Sequence, residues 1–258
     1  SINSSLKVLI IENSNNLNFK KEIERKYPNV ECIIAGENLG YAKGNNFGLS
    51  KVKTKYSLII NPDAELEKNA VNNFLYSSKE VPDFSIISPL IQEEEDLKKI
   101  EIKNENRLRE IKNVKGFAMF LNMSQFEDVG FFDENFFIYF EEIDLCKRLV
   151  LKNKKIYLDP SVRIFHKGGS SHDDTVQEEM ELSRNWHWMW STFYYHRKYS
   201  GFFIAFIKIF PKLISSIFKI FLHTITFNKN KKKIYICRFS GLINSILGKK
   251  SWYRPKLS

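Results

Sequence analysis

Tyr56-Ser57-Leu58-Ile59-Ile60-Asn61-Pro62-Asp63 is the stretch whose reading decides the fold. Tyr56 to Ile60 carries no charge and runs straight into a polar turn, the pattern of a short strand buried on both faces. The same pattern recurs on either side. Leu6 to Ile11 closes on Glu12-Asn13-Ser14, and Val30 to Ala35 is a second apolar run. Between these lie a helix over Asn18–Tyr27, stopped by Pro28, and a helix over Gly40–Val52 behind a polar loop. Downstream, Glu67–Lys79 has helical spacing at Ala70, Val71, Phe74 and Leu75, and Phe84–Ser88 reads as a fourth strand. Strands alternating with helices predict an α/β domain on a mostly parallel sheet. Gln92–Asn113 is highly charged and predicts a solvated, mobile loop. Gly116–Asn122 predicts a strand, Glu141–Lys152 a helix, and Lys155–Asp159 and Val162–Phe165 two short strands. After Thr175 the pattern is helical to the end.

The 258 residues suffice for one full domain with an extension, and 43% are apolar, so a substantial core can be buried. Cys32, Cys146 and Cys237 are odd in number and widely spaced, which suggests neither a zinc site nor a disulfide framework and fits a reducing compartment. The net charge of +10 is unevenly placed. From Leu182 onward there are 15 Lys and Arg and no Asp or Glu, so the remainder holds 25 basic and 30 acidic residues. The basic part should meet something anionic, either lipid headgroups or nucleic acid. No signal peptide is visible at Ser1 to Ser5.

Four constellations could carry chemistry. In a parallel sheet the carboxyl ends of the strands form the ligand crevice, and Asp63 there could hold a hard cation against a diphosphate; Asn61-Pro62 equally suits an ordinary turn. Glu37 to Gly48, with three glycines and three asparagines, lets backbone amides approach a phosphate, or merely opens a helix. Gly130 to Leu149 crowds aromatic rings onto carboxylates. Apolar surroundings raise a carboxylate pKa and suit Glu141 or Glu142 to be a base, although both would also complement a helix N-terminus. Asp144 and Arg148 read as an i,i+4 ion pair. His166, before Gly168-Gly169, could reach a metal or phosphate or sit in a surface turn.

Gly201–Phe227 is rich in Phe, Ile and Leu. At about 100° per residue, Lys208, Lys212, Ser215 and Lys219 fall within about 60° of one another, and Ile209, Phe210, Leu213, Ile214, Ile217, Ile220 and Phe221 cover the opposite side. Three lysines and Pro211 argue against a membrane span and for a basic amphipathic helix in the headgroup region. The lysines alternate with an aliphatic face, not with stacking aromatics on a sheet, so no nucleic-acid partner is expected.

The order of these motifs resembles the family-2 inverting glycosyltransferases of GT-A (Rossmann-like) fold, specifically the bacterial rhamnosyltransferase-like group. An acid-Asn-Ser turn at Glu12 is followed by Asn38-Leu39-Gly40-Tyr41-Ala42-Lys43-Gly44-Asn45-Asn46, Asn61-Pro62-Asp63, Gly130-Phe131-Phe132-Asp133-Glu134, Phe140-Glu141-Glu142-x-Asp144-Leu145-Cys146 and Ile164-x-His166-x-Gly168-Gly169-x-Ser171. Arg184-Asn185-Trp186-His187-Trp188 and Ser251-Trp252-Tyr253-Arg254-Pro255 are similar too. The resemblance implies a mixed, mostly parallel sheet flanked by helices, with a catalytic domain over 1–195 and a basic helical membrane-associating extension over 196–258. It implies Glu142, the second acid beside Glu141, as catalytic base. Glu12, Asn38, Gly40, Lys43, Asn61 and Asp63 would line the nucleotide sugar, and Asp63 and His166 would hold Mg²⁺ or Mn²⁺. The expected reaction moves L-rhamnose from dTDP-L-rhamnose, with inversion, to a lipid-linked (polyprenyl-diphosphate) or cell-surface polysaccharide acceptor at the cytoplasmic face of a membrane. Two departures stand out. Glu replaces the family's Asp at position 12. Leu6–Ile11 already corresponds to the family's second strand, so the first βα unit is expected to be missing, with a catalytically impaired nucleotide-sugar-binding protein as the alternative.

Overall fold

The computed structural model describes residues 6–92, 108–166 and 177–255. In chain order the elements are β1 (Val8–Glu12), α1 (Leu17–Lys26), β2 (Val30–Ile34), α2 (Gly40–Leu49), β3 (Tyr56–Ile60), β4 (Ala64–Leu66), α3 (Ala70–Glu80), β5 (Phe84–Gln92), β6 (Arg109–Ile111), β7 (Ala118–Asn122), α4 (Glu141–Leu151), β8 (Lys155–His166), α5 (Gln177–Ile225) and α6 (Lys229–Ile246). They fall into two compact units. One comprises 1–48, 133–141 and 173–258, and the other 49–132 and 142–172.

In the first unit, β1 and β2 pair in parallel from Val8 opposite Val30 to Glu12 opposite Ile34. The Asn16 side chain caps α1 by accepting from the Phe19 amide at 2.9 Å. α5 is broken at Gly201 (φ 76°, ψ 171°), a conformation a residue with a Cβ rarely adopts. Before the break α5 runs alongside α6 in the same direction. Trp186 Nε1 donates to Ser240 Oγ at 3.1 Å, and Ser245 Oγ donates to the Trp190 carbonyl at 2.9 Å. Beyond it the second limb of α5 runs back along α6. Ala205 and Ile209 share one core with Met189, Phe193 and Leu242, while Lys219 and His223 lie on Tyr235.

The second unit is built on a mixed sheet of order β3-β7-β5-β8-β4, with β6 also on β8. A mixed sheet flanked by helices is as expected, but the share of parallel pairing is smaller. In this sheet only β5 and β8 run parallel, and β7, β4 and β6 each pair antiparallel. The short β4 and β6 escape sequence reading because three residues show no periodicity. β5 runs on to Gln92, where a loop was expected to begin, and β6 lies near that loop's far end; residues 93–107 lie outside the described residues. The two short strands expected over 155–165 are one strand, β8, with a register shift opposite Pro89 and Leu90. Buried Asp159 holds that irregularity, accepting from the Ser77 and Ser161 hydroxyls and the Ser161 amide. The core packs Phe74, Tyr56 and Phe84 against Phe120 at 4.9 to 5.6 Å between ring centroids. Each such ring pair adds about 0.5–1.5 kcal/mol beyond the area it buries.

Candidate active site

The carboxyl ends of β1 and β2 and the start of α2 bring four of the expected nucleotide residues into one unit. Glu12 ends β1 and accepts from Ser14 Oγ at 2.5 Å and from the Ser14 amide, so its carboxylate shapes the turn that follows. Asn38 Oδ1 accepts from the Gly40 amide at 3.0 Å and sets the entry into α2. Gly40 has φ +72°, and a Cβ there would stand 2.4 Å from the Phe137 carbonyl oxygen, so only glycine fits. Lys43 pairs with Glu37 at 3.2 Å, but both side chains are exposed. Such a pair is worth about 0–1 kcal/mol, so a phosphate could readily draw the ammonium away. Asn13, which sequence reading did not single out, reaches the Gly40 carbonyl from the β1 turn.

The segment 133–140 is pinned from both sides. Phe137 accepts from the Tyr41 amide at 2.8 Å. Ile138 accepts from Ser191 Oγ at 3.1 Å. Asp133 receives Tyr194 Oη at 3.0 Å and Lys198 Nζ at 2.7 Å. Burial works to raise its carboxyl, but Lys198 and the Asn135 amide hold it below the usual range. The Tyr139 ring stands edge-on to Trp188, and Phe140 lies against Trp188 and Tyr195. Tyr139 and Phe140 have φ of 70° and 72°. Two successive bulky residues in the left-handed region cost about 1–3 kcal/mol each, and such strain concentrates at functional sites. The aromatic anchors enforce this conformation, and the chain then passes directly into Glu141 and Glu142.

In the second unit, Asn61 and Asp63 occupy the turn after β3, where the Ala64 amide donates to the Asn61 carbonyl at 3.1 Å. The β4–β8 register places Ala64 opposite His166, so the backbones carrying Asp63 and His166 are adjacent. The His166 side chain and Lys167–Ser171 lie outside the described residues. No group of three or more His, Cys, Asp or Glu side chains able to hold a metal occurs among the described residues. Glu142 stands in the first turn of α4. Burial pushes its carboxyl above the usual range, partly offset by the amides of Glu142 and Ile143. Asp144 and Arg148 pair at 2.8 Å as expected. Arg148 does more than sequence reading assigned: its guanidinium also donates to the carbonyls of Val129, Gly130 and Phe131, tying that loop to α4.

The two tail motifs meet. His187 is fully buried, stacked on Phe137 at 4.6 Å. Its Nδ1 accepts from Ser251 Oγ at 3.0 Å, and its Nε2 donates to the Tyr253 carbonyl at 2.8 Å. Burial depresses this imidazole to about 4, so it is neutral at neutral pH. Arg254 lies over the Phe137 ring at 3.8 Å. The C-terminal segment around Ser251–Arg254 is thereby fastened to the same Phe137 that abuts Gly40. Only the tertiary contact reveals this, because the two motifs are more than sixty residues apart.

The family described as Glycosyl transferase family 2 matches residues 3–146. The low-salt glycan biosynthesis hexosyltransferase Agl10 of Haloferax volcanii is 28% identical over 170 residues, covering 57% of this chain and 54% of that protein. The rhamnosyltransferase WbbL of Escherichia coli K12 is 25% identical over 225 residues, covering 73% and 81%. The chain thus spans about half the length of the first of these relatives. Among solved structures, the mannosyltransferase PcManGT from Pyrobaculum calidifontis in complex with GDP-Man and Mn²⁺ superposes with a TM-score of 0.56 at 11% identity, over 95% of this chain and 79% of that one. GalNAc-T7 with UDP, GalNAc and Mn²⁺ gives 0.52 at 12%, over 70% and 44%. These neighbours show the fold, which is GT-A.

Proposed function

This chain belongs to glycosyl transferase family 2, and on that premise we propose that it is an inverting hexosyltransferase that moves L-rhamnose from dTDP-L-rhamnose to a lipid-linked or cell-surface glycan. The observation that carries the reading is Glu142, a half-buried carboxylate with raised proton affinity in the first turn of α4, which follows the strained Tyr139-Phe140 pair in the sequence. A carboxylate so placed can take the proton from an acceptor hydroxyl as its oxygen attacks the anomeric carbon. The bond to the nucleoside diphosphate breaks on the opposite face, and one displacement inverts the configuration. Asn38 and Gly40 would hold the nucleotide against the amides at the start of α2, with Glu12 and Lys43 beside it. The similarity to WbbL supports rhamnose.

Asp63 and His166 would hold Mg²⁺ or Mn²⁺. Asp63 leads into β4, whose Ala64 pairs with His166 on β8, and a carboxylate with an imidazole is a donor set that suits a divalent cation beside a diphosphate. When bound, such an ion supplies neutralisation of leaving-group charge. The test is a donor screen with product mass spectrometry and anomeric analysis, with and without excess EDTA. The expected result is a deoxyhexose-bearing product of inverted configuration that is lost with EDTA. No product from any donor would sink the reading, and full activity in EDTA would remove the metal from it.

We also propose that the basic tail rests on an anionic membrane from the cytoplasmic side. The apolar face that serves it differs from the one expected. Ile209 is fully buried and Leu213 packs on the core shared with α6, so neither faces outward. The exposed strip is Phe203, Ile207, Phe210, Ile214, Ile217, Phe218, Phe221 and Ile225. Lys219 donates to Tyr235 Oη and lies over its ring. An 18-residue window of α5 has a mean hydropathy of 1.7 and is long and apolar enough to cross a membrane by length and composition. The three lysines within this limb favour the interface. Wild-type protein should float with phosphatidylglycerol vesicles, weakly at high salt, and Ile207→Glu/Ile214→Glu/Phe218→Glu should not float. Equal flotation with neutral and anionic vesicles would contradict the electrostatic part.

A further inference from the structure

At the break in α5 a cavity of about 400 Å³ opens between the end of the first limb and the end of α6. Arg197 and Lys198 come from the first, and Lys249 and Lys250 from the second; Tyr194 and Asn135 are also in the wall. Two helices end here, and a cation suits each C-terminus. Four cations around one concavity exceed that need. Lys198 is paired with Asp133, whereas Arg197, Lys249 and Lys250 have no carboxylate partner among the described residues. No acid follows Glu181 in the chain, so nothing in the tail offsets them. The cavity therefore wants an anion, and a guanidinium beside two ammonium groups suits the oxygens of a phosphate or diphosphate.

Two further features narrow the ligand. Gly201, Phe202 and Phe203 follow the cavity directly, and Phe203 is 81% exposed at the head of the outward apolar strip. An anionic head in the cavity would thus have an apolar chain leaving along Phe203, Ile207 and Phe210. Asn135, which also lines the cavity, belongs to the segment that leads in sequence to Glu141 and Glu142. A bulk phospholipid gains nothing from that wall, but a lipid that carries the acceptor sugar does. We propose that this cavity takes the diphosphate of a prenyl-linked acceptor, whose chain lies on the Phe203 face of α5. This rests on the glycosyltransferase reading above.

The experiment is calorimetric titration of the full chain with farnesyl diphosphate in the presence of saturating dTDP, which blocks the donor site. Farnesol and inorganic pyrophosphate serve as controls. Farnesyl diphosphate should bind, be displaced by pyrophosphate, and bind at least about tenfold more weakly to Arg197→Gln/Lys249→Gln/Lys250→Gln, since charge-assisted hydrogen bonds are lost. Equal affinity for farnesol, loss of binding when dTDP is added, or wild-type affinity in the triple variant would each overturn the proposal. So would dependence on these residues for phosphatidylglycerol vesicles but not for farnesyl diphosphate, which would assign the cavity to bulk lipid. Should the variant fail to fold, the pyrophosphate, farnesol and dTDP arms on wild-type protein still decide. Because binding is read without sugar transfer, a chain that binds farnesyl diphosphate yet transfers nothing fails the function reading alone.

Discussion

Glu142→Gln is expected to lower kcat by about 10²–10⁴-fold, the range typical for loss of a general base, with donor affinity almost unchanged. The substitution keeps shape and hydrogen-bonding capacity at the first turn of α4 and removes only the group that accepts the proton. Burial raises the Glu142 carboxyl, so the wild-type rate should climb with pH through a value above the ordinary carboxylate range, because the base works only when ionised. That acid limb should vanish in the variant. Glu141 is 5% exposed and precedes it in the same turn, so Glu141→Gln is the control. Near-normal activity of Glu142→Gln with a dead Glu141→Gln would reverse the assignment within the pair.

The second large effect concerns His187 and acid. An imidazole of ordinary pKa 6.5 that is held near 4 when folded takes up its proton more readily in the unfolded chain. Stability is therefore fully present above about 6.5 and is lost progressively as pH falls from there toward about 4. The difference corresponds to on the order of 3 kcal/mol. For a chain of this size that is roughly 6–12 °C in melting temperature. The cause is burial, with Phe137 and Trp186 against the ring, and the nearby Arg254 cation adds to it, while the bond to the Tyr253 carbonyl works the other way. Protonation would break the Ser251 bond and bury a charge. Melts of wild type and His187→Gln from about pH 7.5 down to about pH 3.5, which spans both the unfolded and the folded value, should show a less stable variant at neutral pH with a shallower slope. Parallel slopes would show that other groups carry the acid sensitivity.

Much of the site was legible because its signals are local. The turn residues after Ile11 and Ile60, the glycine-rich run from Asn38 and the acid pair behind Phe140 each sit beside a strand or helix that announces itself by periodicity. Arg148 shows where this stops. Its bond to Asp144 follows from helix spacing, but its three carbonyl partners at 129–131 lie on a loop whose path no periodicity predicts. The strain at Tyr139 and Phe140 was likewise invisible, since nothing in the residue types asks for positive φ.

By itself the sequence determined the α/β class, the family through the order of its motifs, and an amphipathic basic tail without acids. Short-range periodicity and turn chemistry suffice for these. Tertiary structure alone decided which side of α5 is outward. An apolar helix with lysines admits several buried faces, and only the packing of α6 takes Ile209 and Leu213 inward and leaves Phe203, Ile207 and Phe218 exposed. It also decided that Arg197-Lys198 and Lys249-Lys250, about fifty residues apart, share one cavity, and that His187 meets Ser251 and Tyr253. Contacts of that separation depend on the break at Gly201, where a single φ of 76° turns one helix back along another.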